Sequence, residues 1–481
     1  MKKYLLSLFA SLLITSAFAQ TTAKNAYQIR VKIDGFTEKQ LFLGYYMGDK
    51  QYVMDTALVD AKGEFVFSGT EALKGGMYIV VLPPNNDFFQ ILLTDKEQSF
   101  FVRTTKDKPG ENVKFEGSKE NTLFYDYVNY LNGKRPEAEA LGKEIEAAKD
   151  NPTAKDAAQK KMDKLNQDVE KYQKEYVVKF KGTLAAAIIN ANINAETPKA
   201  FDNLPEEEKN RQLWLWTRKH FFDNINLGDN RMLRTPFLFQ RLDYFVNKLS
   251  VQHPDSISVA IDTVLERLRP ADEAFKFYLI HFLNSFAASK FVGMDAVYVH
   301  MAEKYYATGQ ANWANQEQVK KIVDNAKKLK PLLIGKTAPD IVLERNGART
   351  MLSQLKSEYT LLYFWRYDCG HCKESMPAMK KFFEKFKDKG ITLVAICVKP
   401  AQDQPECLKY IQENGLTGWY NAFDPTGRYY VQYNVETTPQ MYILDNKKEI
   451  ISKQVPADQL EDVMDKIIEM NKKEKESAGN K

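Results

Sequence analysis

Residues 363–375 read YFWRYDCGHCKES: an apolar, aromatic run, a short polar link, and two cysteines separated by Gly370 and His371. Tyr363-Phe364-Trp365 has the composition of a strand end, and the pattern predicts that Cys369 opens a helix. A cysteine there lies beside unsatisfied backbone N–H groups and the positive end of the helix dipole, both of which favour thiolate. His371 adds positive charge when protonated, whereas the adjacent Asp368 disfavours a second negative charge. Cys372, one turn further in, is placed to be shielded and to resolve a mixed disulfide with Cys369.

Competing uses of the pair fit less well. A c-type haem attachment needs His directly after the second cysteine, and Lys373 stands there. A zinc site needs two more ligands, but Cys397 and Cys407 fall on different predicted elements with nine residues between them. An inert bridge is geometrically open to a C-x-x-C. Strand and helix signals alternate around the motif: TLLYFW as strand, 370–388 as helix, ITLVAICV as strand, 403–414 as helix, QMYILD and EIISKQV as strands, 457–471 as helix. A C-x-x-C opening a helix inside such an α/β domain points to thiol–disulfide chemistry.

Residues 335–472 resemble a thioredoxin-fold domain of the exported TlpA-like thiol–disulfide interchange group, within the redoxin superfamily. The resemblance rests on GKTAPD (335–340), FWRYDCGHCKESMP (364–377), GWYNAFDP (418–425) and VETTPQMYILD (435–445). It implies that Pro439 is a cis-proline facing the two cysteines, with Thr438 before it, and that Pro377 kinks the first helix. It further implies that Thr438 and Pro439 shape a groove for an extended substrate segment, with Trp365 and His371 tuning access and charge. Departures are informative. Ser375 stands where the family often has Glu, and Tyr363 stands where thioredoxin has a buried Asp. Gly370-His371 resembles the dipeptide of protein disulfide isomerase domains. Arg366 replaces the Thr of peroxiredoxins, which leaves a thiol peroxidase as a minor alternative.

Upstream, residues 27–117 read as short alternating strands divided by turn formers such as Asp34-Gly35, Lys62-Gly63 and Pro83-Pro84-Asn85-Asn86. This predicts an antiparallel β-sandwich. Residues 119–330 read as an all-α region. Asn151-Pro152-Thr153 breaks a helical hairpin between 136–150 and 153–180, whose Met162, Leu165, Val169, Tyr172 and Tyr176 share one face. Further helices are expected near 205–224, 236–250, 255–268, 271–288, 294–307 and 315–328. The face of the hairpin suits ordinary packing and leaves dimerisation open. His220, His253, His281 and His300 read as packing or surface residues. Both upstream blocks resemble uncharacterised companions of thioredoxin-like modules in exported bacterial proteins.

The expected domains are a signal peptide (1–19), a β-sandwich (20–118), a helical domain (119–332), a thioredoxin-like domain (333–472) and a charged tail (473–481). MKKYLLSLFASLLITSAFAQ has a two-lysine start, a short apolar stretch and a small-x-small AFA ending at Ala19, the pattern of a cleaved secretory signal. No later run of the sequence is long and apolar enough to span a bilayer. The expected location is therefore a periplasm. All four cysteines lie in the last quarter of the chain, so the rest folds on burial alone. Cys397 and Cys407 admit two readings, separate cysteines with Cys397 in the core, or a second disulfide. Lys+Arg (68) and Asp+Glu (63) are interspersed, with a net charge of +5, which argues against a nucleic-acid groove.

These observations predict an exported thiol–disulfide oxidoreductase that exchanges disulfides with protein substrates through its CGHC pair. It would need no cofactor beyond the redox-active disulfide Cys369–Cys372, and its partners would be protein thiols or disulfides and a separate redox partner. The alternative from another class is a non-catalytic scaffold that docks partners through a thioredoxin-like domain.

Overall fold

The computed structural model describes residues 25–479, so the expected signal peptide lies outside the described residues. The chain folds as two compact units that divide between Arg241 and Leu242, inside the expected helical domain.

The first unit opens with eight strands: β1 (Tyr27–Asp34), β2 (Gln40–Met47), β3 (Lys50–Leu58), β4 (Phe65–Gly69), β5 (Gly76–Leu82), β6 (Asp87–Leu93), β7 (Ser99–Thr105) and β8 (Lys114–Glu116). They form two four-stranded sheets in the orders β4-β1-β7-β8 and β3-β2-β5-β6. The sheets are not wholly antiparallel, because β1 and β7 run parallel, with Ile29 opposite Phe100 and Val31 opposite Val102. Strand alternation is blind to direction, and these two strands meet only after five intervening strands.

Four helices follow: α1 (Lys119–Ala147), α2 (Pro152–Lys179), α3 (Leu184–Asn190) and α4 (Glu206–His220). Helix α1 starts well before residue 136 and carries Pro136 in its interior. Its start is set by Ser118, which accepts from the Asn121 N–H, and by Glu97, which accepts from the Lys119 and Glu120 N–H groups. Helix α2 begins at Pro152, with Asn151 as its cap. The periodic face of α2 is used within the hairpin: Tyr172 stacks on Tyr130 at 3.7 Å, and Leu165 and Tyr176 are buried. Helix α5 (Pro236–Tyr244) contains the division between the units.

The second unit continues with α6 (Pro254–Leu268), α7 (Asp272–Ala287), α8 (Asp295–Met301) and α9 (Gln316–Leu329). Two of the expected helices run on as single π-helical turns, Phe245–Leu249 after α5 and Ala302–Tyr306 after α8. The hairpin β9 (Val342–Arg345) and β10 (Ala348–Met351) then leads into the domain of interest. That domain comprises β11 (Tyr359–Trp365), α10 (Gly370–Phe386), β12 (Ile391–Cys397), α11 (Gln404–Glu413), β13 (Tyr420–Ala422), α12 (Tyr429–Gln432), β14 (Gln440–Leu444), β15 (Ile450–Lys453) and α13 (Leu460–Gly479).

Its sheet runs β13-β12-β11-β14-β15, parallel across β13, β12 and β11 and antiparallel beyond. Every residue of the central strand β11 is buried, as expected of a strand covered on both faces. Leu361, Tyr363 and Trp365 pack toward Met376, Phe382, Cys407 and Leu460, whereas Leu362 and Phe364 pack toward Leu343, Tyr433 and Val435. Since β11 and β12 are parallel, both end at the same edge of the sheet, where α10 begins.

Candidate active site

At that edge the chain leaves β11 at Trp365, crosses Arg366-Tyr367-Asp368, and enters α10 with Cys369 as its N-cap. The Cys372 N–H lies 3.2 Å from Cys369 Sγ, so an orphan donor of the first turn points at the sulfur. The Thr438 carbonyl oxygen lies 3.2 Å from the same sulfur and accepts its S–H in the thiol form. The Thr438–Pro439 peptide bond is cis. Two segments 69 residues apart in sequence thus meet at one sulfur atom.

The two cysteines are free thiols with different surroundings. Cys369 is partly exposed and Cys372 is fully buried. Partial burial by itself pushes the Cys369 thiol up, but hydrogen bonds from the Cys372 side chain and backbone and the Arg366 charge bring it below an ordinary thiol. Cys372 is held well above one, first by burial and then by its hydrogen bond to Cys369. The geometry therefore favours the thiolate form at Cys369 over Cys372 and keeps Cys372 as the reserve thiol. A Cβ added at Gly370 would meet nothing within 4 Å, so approach over the start of α10 is open.

Asp368 does not act as a bare charge against Cys369. Arg366 binds its carboxylate through Nε at 3.0 Å and Nη2 at 3.1 Å, and Lys399 adds a contact at 2.9 Å. These cations, Arg366 first, hold the Asp368 carboxyl far below the usual range. Lys399 also reaches Asp403 at 3.5 Å. The signal in the sequence is its place two residues beyond a parallel neighbouring strand, which ends at the same edge as the C-x-x-C.

One expectation for a side chain changes. Trp365 does not line the entrance: it is fully buried, 5.5 Å from the Tyr410 ring, because its place on β11 points it into the helix-side core. Pro377 lies within α10, which continues through it to Phe386. His371 is largely exposed and meets Glu374, its Nδ1 being 3.1 Å from the carboxylate. Beneath the pair, the Tyr363 hydroxyl lies 3.1 Å from Ser375 Oγ, which donates to the Cys372 carbonyl at 2.9 Å. A cavity of about 310 Å³ opens beside the cis bond, lined by Ser375, Thr437, Pro439, Met441, Gln454 and Val455 among others.

Cys397 and Cys407 are joined in a disulfide, which settles the two readings left by the sequence. Among the histidines, His253 caps α6, His220 meets Asp223 at 2.6 Å, and His300 meets Asp262 at 2.9 Å. Among the described residues no three His, Cys, Asp or Glu side chains gather into a metal-binding group, and no described helix is long and apolar enough to cross a membrane.

A two-cysteine helix start facing a cis-proline on a five-stranded mixed sheet defines a thioredoxin-fold redox domain. Residues 334–453 match the AhpC/TSA family, so the C-terminal part of the chain is a redoxin domain of that family. Residues 27–124 and 152–329 match two families described only as domains of unknown function, DUF4369 and DUF5106. The chain is 27% identical over 138 residues to the thiol-disulfide oxidoreductase ResA of Bacillus cereus, covering 28% of this chain and 78% of that protein. It is 31% identical over 114 residues to the thioredoxin-like protein YneN of Bacillus subtilis, covering 24% and 66%. Among solved structures, a thioredoxin-like protein from Bacteroides caccae aligns over 56% of this chain and 96% of its own, with 17% identity and a TM-score of 0.42.

Proposed function

We propose that this protein is an exported thiol–disulfide oxidoreductase acting on protein substrates through Cys369 and Cys372. The observation that carries this reading is the asymmetry of the pair at the start of α10: an accessible cysteine favoured as thiolate beside a buried one favoured as thiol. The named relatives, ResA among them, support it.

In the reducing direction, the Cys369 thiolate attacks one sulfur of a substrate disulfide and expels the other as thiolate. The Cys372 thiol then gives its proton to a departing thiolate as its sulfur attacks Cys369 Sγ. That step breaks the mixed disulfide, forms Cys369–Cys372 and releases the substrate as one thiol and one thiolate, the latter taking its proton from solvent, with two electrons moved from the pair. Run in reverse, the same steps oxidise a substrate. Thr438 and Pro439 would border the bound segment, and the cavity beside them would take one of its side chains.

Export is supported by the signal-like N-terminus and by the Cys397–Cys407 bond, since such bonds persist in oxidising compartments. The periplasm is the proposed location, with cleavage after Ala19. The test is the reduction potential of Cys369–Cys372 in glutathione buffers, read by alkylation and mass spectrometry. A value near about −180 mV or higher assigns an oxidase or isomerase, and one near about −270 mV or lower a reductase. A pair that never equilibrates would contradict the proposal and leave a docking module.

A further inference from the structure

The second disulfide lies in the same core as the first pair. Cys397 ends β12 and is the register partner of Trp365 on β11. Cys407 sits in α11, and both sulfur-bearing residues are almost fully buried, at 2% and 0% exposure. Three residues beyond Cys407, on the same face of the helix, Tyr410 lays its ring against Trp365. Cys372 belongs to this core as well. Tyr410 packs against that same core, so one cluster holds the ring and the Cys372 sulfur. Helix α11 has only ten residues, too few to hold its shape in water unaided, so its position depends on what ties it down. Its buried ties are Cys407 and Ile411.

We propose, building on the reading that Cys369 attacks and Cys372 resolves, that Cys397–Cys407 is a second, non-exchanging disulfide that clamps α11 so that Tyr410 closes over Trp365 and keeps Cys372 shielded. The clamp thereby fixes which thiol of the pair meets a substrate. It stays out of exchange because an attacking thiolate has no path to either sulfur. Opening it takes two electrons and two protons, supplied in the test by dithiothreitol, which becomes its own cyclic disulfide. Loss of the clamp would let α11 open locally and admit reagents to Cys372.

The test uses the full chain carrying Cys369→Ser, in which Cys372 is the remaining free thiol. Its alkylation by iodoacetamide is followed by mass spectrometry. Adding Cys397→Ala/Cys407→Ala should speed that alkylation about tenfold or more, and so should Tyr410→Ala with the disulfide in place. An unchanged rate in a clamp-free chain of native circular dichroism overturns the proposal. Should the double substitution fail to fold, an unchanged rate in Tyr410→Ala overturns it equally. In the oxidised wild-type chain, dithiothreitol should reduce Cys369–Cys372 while Cys397–Cys407 persists, and simultaneous reduction of both would contradict the non-exchanging role. None of these readouts requires turnover, so they can fail while the measured potential still shows an oxidoreductase, and the reverse.

Discussion

The two cysteine pairs of this domain share a core and differ in everything that governs exchange. Cys369 and Cys372 stand at the open start of α10, with a backbone N–H and a carbonyl aimed at the outer sulfur. Cys397 and Cys407 bridge the end of β12 to α11 with both residues buried. The same element does opposite work according to access and local charge. A sulfur at a helix start beside Arg366 is prepared to leave and re-form bonds, and one buried between the end of β12 and α11 is prepared to stay bonded.

That contrast can be broken experimentally. The largest expected effect is from Cys369→Ser, which should abolish reduction of a protein disulfide, whereas Cys397→Ala/Cys407→Ala should leave it measurable. The assay is insulin-disulfide reduction driven by dithiothreitol. Loss of the buried bridge should appear in stability instead, at about 2–3 kcal/mol for so short a loop, read as a lower denaturant midpoint of this domain.

A smaller effect sharpens the charge side of the comparison. Alkylation of Cys369 should rise with pH around a midpoint below the ordinary thiol value of about 8.5, because the native environment favours the thiolate. Arg366→Gln removes a cation that favours the charged form, so the midpoint should move upward, by roughly 0.5–1 unit. A downward move would show that freeing Asp368 matters less than supposed, and that the guanidinium does not act on the sulfur. The smallest effect belongs to His371→Ala. The ring is largely exposed and held by Glu374, so the midpoint should shift by less than about 0.3 unit.

What the sequence made legible follows the same division between local and non-local information. The strand–helix alternation of residues 359–386, the helix start at Cys369 and the cap at Asn151 depend on neighbours within a few positions, and their residue types announce them. The parallel pairing of β1 with β7 depends on which distant strands meet, and alternation carries no sign of direction. The helix expected from residue 136 starts earlier, because Ser118 and Glu97 cap α1 at Lys119, and it runs through Pro136. Trp365, expected to tune access, is placed by its strand and not by its nearness to the cysteines in sequence. The period of two along β11 sends it, like Tyr363, into the core. Asp368 looked unfavourable because Lys399 is distant in sequence and only the parallel β11–β12 pairing brings it near. Cys407 could not be joined to Cys397 without knowing how α11 lies on the sheet.

The central claim is that Cys369 is the attacking sulfur and Cys372 the one that releases it. The most direct measurement is to incubate the reduced full-length Cys372→Ala chain with insulin and resolve the products by non-reducing electrophoresis and mass spectrometry. A covalent adduct joined through Cys369, stable to alkylation and released by dithiothreitol, is the predicted result. No adduct from a folded chain whose Cys369 still alkylates would contradict the account.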